Sequence, residues 1–416
     1  MDIRNVLRVK ETKPRYKVAY IPGDDAGFDV MEGAMIVLQA MDKAMGLPID
    51  WVRADMGWCM WAKSCQEYPE GDPRRNTVPE ETKQILRESD AALMAAITSK
   101  AGVKGFKSAI LQMRQLFDLY INLRPAKSMP GITCPLKGDP KIDIVMFREN
   151  TEDLYAAVEF RPTPKEHFDM HPGMARFKDK EEVAVSWKVF SKEGCERIIR
   201  AAFEYAKATG RTKVVCATKA NVIRATDGMF KEIFLNMAKE YPDIQAIDEN
   251  ADATAMWLIK NPQDYQVIVT PNVFGDILSD EASQLVGGMG FAPSGNIGKD
   301  FALFEPSHGS VPKYAHQYKI NPCGLLNAAT MMLEYLGLEE AARKLEAAIS
   351  AVLVEGKDLT YDVFRDNGDP DWEKKAVSTL DMARAIARKI LPDYDKYDSE
   401  ISAKAKEMCA WEHLPR

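Results

Sequence analysis

Apolar residues recur along this chain with two alternating periods. Short apolar runs at residues 17–22, 91–97, 121–123, 142–147, 213–217 and 266–270 read as buried strands. Arg124-Pro125 stops the third run and Arg148 ends the fourth. Elsewhere apolar positions fall at helical spacing, over residues 30–46, 108–120, 191–209, 327–335, 339–354 and 379–389. Gly210 closes the helix at 191–209. Strand and helix taking turns in this way predicts an α/β protein with mainly parallel pairing. Residues 160–180, rich in proline, histidine and charge, break the pattern and read as a linker or an excursion from the body.

A chain of 416 residues buries a large core and is expected to split into two lobes. Its hydrophobic (46%) and charged (28%) fractions are those of a water-soluble globular protein. A net charge of −7 without a basic block argues against nucleic acid as a partner. Residues 1–17 are polar, unlike a secretion signal, and no apolar run approaches the ~18 residues that cross a membrane. The cysteines (Cys59, Cys65, Cys134, Cys195, Cys216, Cys323 and Cys409) are scattered without metal-binding spacing, which suits a reduced, cytoplasmic setting.

Several signatures are missing. No G-x-G-x-x-G follows an early strand: Gly288-Met289-Gly290 has Pro293 at the third glycine position. The P-loop, H-E-x-x-H and G-x-S-x-G patterns do not occur, and the histidines are His167, His171, His308, His316 and His413.

Residues 272–283 say the most. Asp276 and Asp280 stand four apart in the first turns of a helix that follows the strand at 266–270. That spacing turns both carboxylates to one side, at a strand's carboxyl end, and two hard oxygen ligands suit Mg²⁺ or Mn²⁺. The alternative is an acidic helix start favoured by the helix dipole. Arg114, Arg124 and Arg148 either converge on a di- or tricarboxylate or form ordinary ion pairs. Tyr155 reads as a general acid or a packing residue, and Lys219 as a base-side group or a solvated lysine. Asp252 reads as a third metal ligand or an N-cap aspartate. Glu305 to Tyr314 is a loop by its proline and glycine content, and Tyr361 and Arg365 form an i,i+4 pair.

Together these residues resemble the β-decarboxylating dehydrogenases, the isocitrate/isopropylmalate dehydrogenase family. The resemblance rests on Phe147-Arg-Glu-Asn-Thr-Glu-Asp-Leu-Tyr155, residues 272–281 and His308-Gly309-Ser310, and it runs from about Tyr20 to Ala385. It implies a doubly wound, non-Rossmann two-domain α/β fold with a small clasp. Residues 1–119 and 287–416 would form the large cofactor domain. Residues 120–152 and 192–286 would form the substrate, metal and dimer domain, and 153–191 the clasp. It implies a homodimer with shared active sites that oxidises a 3-carboxy-2-hydroxy acid, releases CO₂ and reduces NAD or NADP.

By the same resemblance, Ser108, Arg114, Arg124 and Arg148 would bind substrate, and Tyr155 and Lys219 would be catalytic. Asp252, Asp276 and Asp280 would hold Mg²⁺ or Mn²⁺, with Lys219 and Asp252 reaching in from the partner. Thr98, His308, Gly309, Lys313, Tyr314, Asn321, Tyr361 and Arg365 would bind the cofactor. Lys313-Tyr314 with Tyr361 and Arg365 match the 2′-phosphate set and imply NADP. Ser108 points to isocitrate, whereas Ile110 stands where isocitrate enzymes usually carry asparagine. Two loops also depart from the family: Gly23-Asp24-Asp25-Ala26-Gly27 replaces Gly-Asp-Gly-Ile-Gly, and Thr98-Ser99-Lys100 replaces Thr-Thr-Pro with one residue inserted before Ser108. These departures leave open a homoisocitrate-, isopropylmalate- or tartrate-like substrate, or a non-catalytic regulatory subunit.

Overall fold

The computed structural model describes residues 7–100 and 102–410; residues 1–6, which begin the polar start, and His413 lie outside the described residues. Its strands are β1 (Tyr16–Ile21), β2 (Ile49–Arg53), β3 (Ala91–Met94), β4 (Ile121–Lys127), β5 (Asp143–Glu149), β6 (Glu159–Phe160), β7 (Val185–Ser186), β8 (Lys213–Thr218), β9 (Gln245–Asn250), β10 (Val267–Thr270), β11 (Pro293–Ile297) and β12 (Ala302–Pro306). Ten of them form one sheet in the order β2-β1-β3-β12-β11-β4-β5-β10-β8-β9. Pairing is parallel in both wings, β2-β1-β3-β12 and β5-β10-β8-β9. It is antiparallel through the middle, β12-β11-β4-β5. The mainly parallel expectation therefore holds. The exception at β11 and β12 follows from their short link, which cannot carry the crossover that parallel neighbours need.

The wings are apolar because helices cover them. Helix Gly27–Met45 is buried as far as Met41 and packs against helices Thr379–Ile390 and Asp398–Met408. A separate apolar cluster joins Val215, Ile268, Leu258 and Leu278, where helices Ala251–Lys260 and Asn272–Gln284 pack together. Among the described residues no helix is long and apolar enough to cross a membrane.

The structure corrects two details and decides one open alternative. β4 runs through Pro125 to Lys127, past the expected stop at Arg124. β11 pairs with β4 only over Ile121–Leu123, so beyond Leu123 a missing N–H breaks no ladder on that side. The irregular stretch is an excursion: β6 and β7 form a two-stranded ribbon, with short helices His167–Met170 and Pro172–Ala175 between them. Glu305 and Pro306 end β12 rather than opening a loop. Elements without a clean period escaped the sequence reading. The edge strand β9, Gln-Ala-Ile-Asp-Glu-Asn, has no fully buried residue.

Asp29, in the first turn of helix Gly27–Met45, pins the distant segment around Tyr318. Its carboxylate accepts the Tyr318 N–H at 2.9 Å, and Nδ1 of His316 lies 3.9 Å away. Burial, aided by nearby Glu32, raises its carboxyl from 3.8 to about 6, against the backbone N–H groups that favour the anion. A carboxyl raised in the folded state binds its proton more tightly there, so its ionisation costs stability as pH rises from about 4 to about 6. Asp29→Asn keeps an acceptor without the charge. It is expected to raise stability by about 1–2 kcal/mol above pH 6 and to change little at pH 4. Denaturant unfolding at both pH values checks this; equal effects at the two would contradict it.

Candidate functional site

β5 carries Arg148 to the sheet's end beside Thr270 of β10, where helix Asn272–Gln284 begins. The guanidinium lies under that helix and is 1% exposed. Gly275 makes the approach possible: a Cβ there would sit 2.5 Å from Cγ of Arg148. Nε of Arg148 donates to the backbone and side-chain oxygens of Asn272 at 3.0 Å, Nη2 donates to the same side chain at 2.7 Å, and Nη1 donates to Asp276.

Arg124 enters from β4. Its Nη1 donates to Ser279 at 2.7 Å and Asp280 at 3.2 Å, and lies 3.4 Å from Asp276. One guanidinium atom thus touches both carboxylates that the i,i+4 spacing predicted to share a side. Arg114, from helix Ala109–Leu116, donates to Asn296 at 3.1 Å and lies 4.0 Å from Glu305. Tyr155 donates its hydroxyl to Asp276 at 2.5 Å, with the Arg148 guanidinium 5.1 Å from its ring.

Burial and mutual repulsion dominate this cluster. Burial, then Arg124 and Arg114, lowers Arg148 to about 9, and burial also lowers Arg114. Burial pushes the Asp276 carboxyl up, but Arg148 and Arg124 outweigh it and hold the group below the usual carboxylate range. Asp280 is raised, by burial first and also by the Asp276 charge, which Arg124 and Arg148 together do not offset. Burial and then the Asp276 hydrogen bond raise the Tyr155 hydroxyl, so it keeps its proton at neutral pH. Nε of Arg124 is buried without a partner. Crowded cations with a free buried donor are what an incoming carboxylate would satisfy.

Lys219 and Asp252 lie elsewhere. They face each other at 2.5 Å between the end of β8 and helix Ala251–Lys260, and the Lys219 hydrogen bond lowers the Asp252 carboxyl. Asn250 occupies the cap position, so Asp252 is a first-turn residue and not the N-cap. Among the described residues no three His, Cys, Asp or Glu side chains gather to hold a metal. Asp276 and Asp280, both within reach of Arg124, form a hard oxygen pair. Such a pair suits an ion like Mg²⁺, which takes one or two carboxylates and completes its shell with substrate oxygens and water.

A cavity of about 280 Å³ gathers most of the expected cofactor residues: His308, Lys313, Tyr314, Asn321, Tyr361 and Arg365. His308 is lowered by burial; its Nε2 has no partner, and Nδ1 lies 2.9 Å from the Gly309 carbonyl. Tyr361, raised by burial and by Tyr314 to about 12, stays a hydroxyl donor. Gly309 is exposed beside this cavity. Thr98 lies outside it, bonded to Asp25 at 2.5 Å. Ser108 begins helix Ala109–Leu116 and meets Ser99 at 3.1 Å, and Ile110 packs half-buried against the neighbouring apolar cluster.

Sequence reasoning missed the amides that organise the cluster. Asn296 of β11 accepts from Arg114, from Asn122 at 2.9 Å and from Asn150 at 3.0 Å, and donates to Glu305 at 2.7 Å. An asparagine in a fully buried strand, Pro-Ser-Gly-Asn-Ile, was the available signal. Asp24 was also undervalued: its buried carboxylate accepts the N–H groups of Trp58, Cys59 and Thr98 at 2.8, 2.9 and 2.8 Å.

Comparison with known proteins bears on the family and the fold. The profile of the isocitrate/isopropylmalate dehydrogenases matches residues 17–386. The 3-isopropylmalate dehydrogenase of Methanothermobacter thermautotrophicus is 40% identical over 373 residues, covering 89% of this chain and 98% of that one. The isocitrate dehydrogenase (NADP) of Thermus thermophilus is 40% identical over 349 residues, 84% of this chain and 64% of that protein. The crystal structure of isocitrate dehydrogenase from Methylococcus capsulatus matches with a TM-score of 0.77 at 35% identity, over 90% of this chain and 99% of that chain.

In an ordinary helix interior, replacing glycine by alanine stabilises by about 0.5–1 kcal/mol. Gly275→Ala is expected to do the reverse, costing about 1–3 kcal/mol as Arg148 is displaced. A raised thermal midpoint would contradict this.

Proposed function

The chain belongs to the isocitrate/isopropylmalate dehydrogenase family, and we propose that within it this protein oxidatively decarboxylates isocitrate to 2-oxoglutarate and CO₂ with NADP as acceptor and Mg²⁺ or Mn²⁺ as metal. Decarboxylating dehydrogenase chemistry on a hydroxy acid comes with the family. The observation that carries the reading is one guanidinium cluster, in which Arg124 and Arg148 meet Asp276, Tyr155 donates to the same carboxylate, and Arg114 lies near enough to repel Arg148. Three cationic forks suit a substrate with several carboxylates, and each would orient one of them.

Asp276 and Asp280 are the residues of this chain that would hold the metal. When bound, the metal would polarise the substrate's 2-hydroxyl oxygen, and the dinucleotide would accept the hydride from the carbon that bears it. The protein's own part is orientation and proton supply. Tyr155 keeps its proton because burial and Asp276 hold its hydroxyl up, so it is placed to return a proton to carbon after CO₂ leaves. Lys219, delivered with Asp252 by a second copy, would remove the hydroxyl proton. Exposed apolar side chains on the elements that carry these groups, Val222, Met256, Ile259 and Ile277, support a homodimer. The five strands β2, β1, β3, β12 and β11 would belong to the cofactor lobe, and β4, β5, β10, β8 and β9 to the substrate lobe.

NADP is favoured by the cavity that joins Lys313 and Arg365 to the hydroxyls of Tyr314 and Tyr361. A dianionic phosphate needs such donors, whereas a free ribose diol does not. Ile110 favours a second reading, the same chemistry on an acid with an apolar substituent. The isopropylmalate dehydrogenase named above keeps that reading alive.

Assay of the purified chain with Mn²⁺, NADP and isocitrate, against 3-isopropylmalate, homoisocitrate and NAD, tests the proposal. Turnover led by another acid would replace the substrate, and no turnover would favour a regulatory subunit. Lys313→Ala with Arg365→Ala should raise KM for NADP about tenfold or more while leaving KM for NAD nearly unchanged. An unaltered cofactor preference would remove the phosphate site. Asp276→Asn should weaken Mn²⁺ binding and collapse kcat, and wild-type metal dependence in that variant would reject the metal assignment.

A further inference from the structure

Of the eight non-glycine residues with positive φ among the described residues, four meet at one place. They are Asp25 (φ 52), Val311 (φ 46), His316 (φ 58) and Tyr318 (φ 52). Aspartate tolerates this region, but a β-branched valine there is a genuine outlier. Strained residues persist only where their surroundings over-determine them. Segment 311–318 carries Lys313 and Tyr314 into the cofactor cavity, and Val311 lines that cavity too. Lys313 and Tyr314 form a single helical turn, Pro312–Tyr314, that starts from Val311.

The segment is tied down at both ends by carboxylates from one short stretch. At its start, Ser310 donates to Asp25 at 3.0 Å, and Thr98 donates to the same carboxylate oxygen at 2.5 Å. The Thr98 and Ser310 hydroxyls also touch each other, and the Ser310 carbonyl accepts the Ala26 N–H at 3.0 Å. At its end, Asp29 accepts the Tyr318 N–H, and the Tyr318 hydroxyl donates to Glu32 at 3.0 Å. The loop's own turn is closed by backbone bonds, the Asp24 N–H to the Ala96 carbonyl at 2.9 Å and the Gly27 N–H to the Asp24 carbonyl at 2.7 Å, and neither uses the Asp25 side chain.

We propose that Asp25 is a positioning residue for the dinucleotide, a latch that holds the strained 311–318 strap so that Lys313 and Tyr314 face the cofactor's phosphate. Asp25 stands at the third residue of the 23–27 loop, and its left-handed backbone is tolerated for the sake of the strap. The proposal rests on the reading of the neighbouring cavity as the cofactor site.

The test measures NADP and NAD binding to the purified chain by calorimetry, with KM, kcat and thermal midpoints alongside. Asp25→Gly removes the latch and its own strain. It should weaken NADP binding by roughly tenfold and raise KM likewise, with kcat at saturation nearly unchanged and the midpoint not lowered. Asp25→Asn keeps an acceptor and should restore most of the affinity. Ser310→Ala, which cuts the same latch from the other side, should copy Asp25→Gly. Wild-type NADP affinity in Asp25→Gly would overturn the proposal while leaving the cofactor reading intact. Loss of binding together with a fallen midpoint in both latch variants would overturn it as well, marking the contact as merely structural. Binding of neither dinucleotide to the wild-type chain would remove the cofactor reading, and the proposal with it.

Discussion

The buried guanidinium of Arg148 is the constraint on which the site depends. A charge this deep in the protein is tolerable only when its donors are met, and here Asn272 and Asp276 meet them. Meeting them fixes where helix Asn272–Gln284 begins and obliges it to carry glycine at position 275. It also sets the rotation of Asp276 and, through that carboxylate, the direction of the Tyr155 hydroxyl. Arg124 then reaches the same carboxylate from β4, across the β4–β5 pairing. One burial problem thus brings strand, helix and the turn after β5 to a common point.

A second organising element is less visible because it carries no charge. Asn296 serves Arg114, Asn122, Asn150 and Glu305 at once, from the middle of the antiparallel region. It joins the half of the sheet next to the cavity lined by Lys313 and Arg365 to the half that holds the carboxylate pair. An amide can do this because it donates and accepts within one rigid plane. An aspartate there would repel Glu305.

Much of this was legible in the sequence, for identifiable reasons. Asp276 and Asp280 were readable because helical spacing alone puts i and i+4 on one side. Strands β1, β3, β5, β8 and β10 of the wings were readable because burial on both faces makes them continuous apolar runs, whereas β2 and β12 were not read. β9 was not, because an edge strand is only half covered and keeps mixed polarity. The extension of β4 through Pro125 depends on where β11 stops, which is tertiary information. Lys219 and Asp252 were legible only as one alternative each, a base-side lysine and a third metal ligand; within one chain they pair with each other, and only the resemblance assigned them to a partner's site. The left-handed backbone at Val311 had no sequence signal, since valine is among the residues least suited to it.

The strand order also bears on how the chain comes into being on the ribosome. Strands β4, β5, β8, β9 and β10 all lie between Ile121 and Thr270 and can pair with one another as soon as they emerge. β3 has to wait: its neighbour on one side is β12, which starts only at Ala302. During synthesis the first-made part of the protein therefore stands with an open sheet edge while the part made after it closes. Such edges are where nascent chains pair wrongly or recruit chaperones. The short β11–β12 hairpin, entering late between the two groups of strands, is the piece whose arrival ends that exposure.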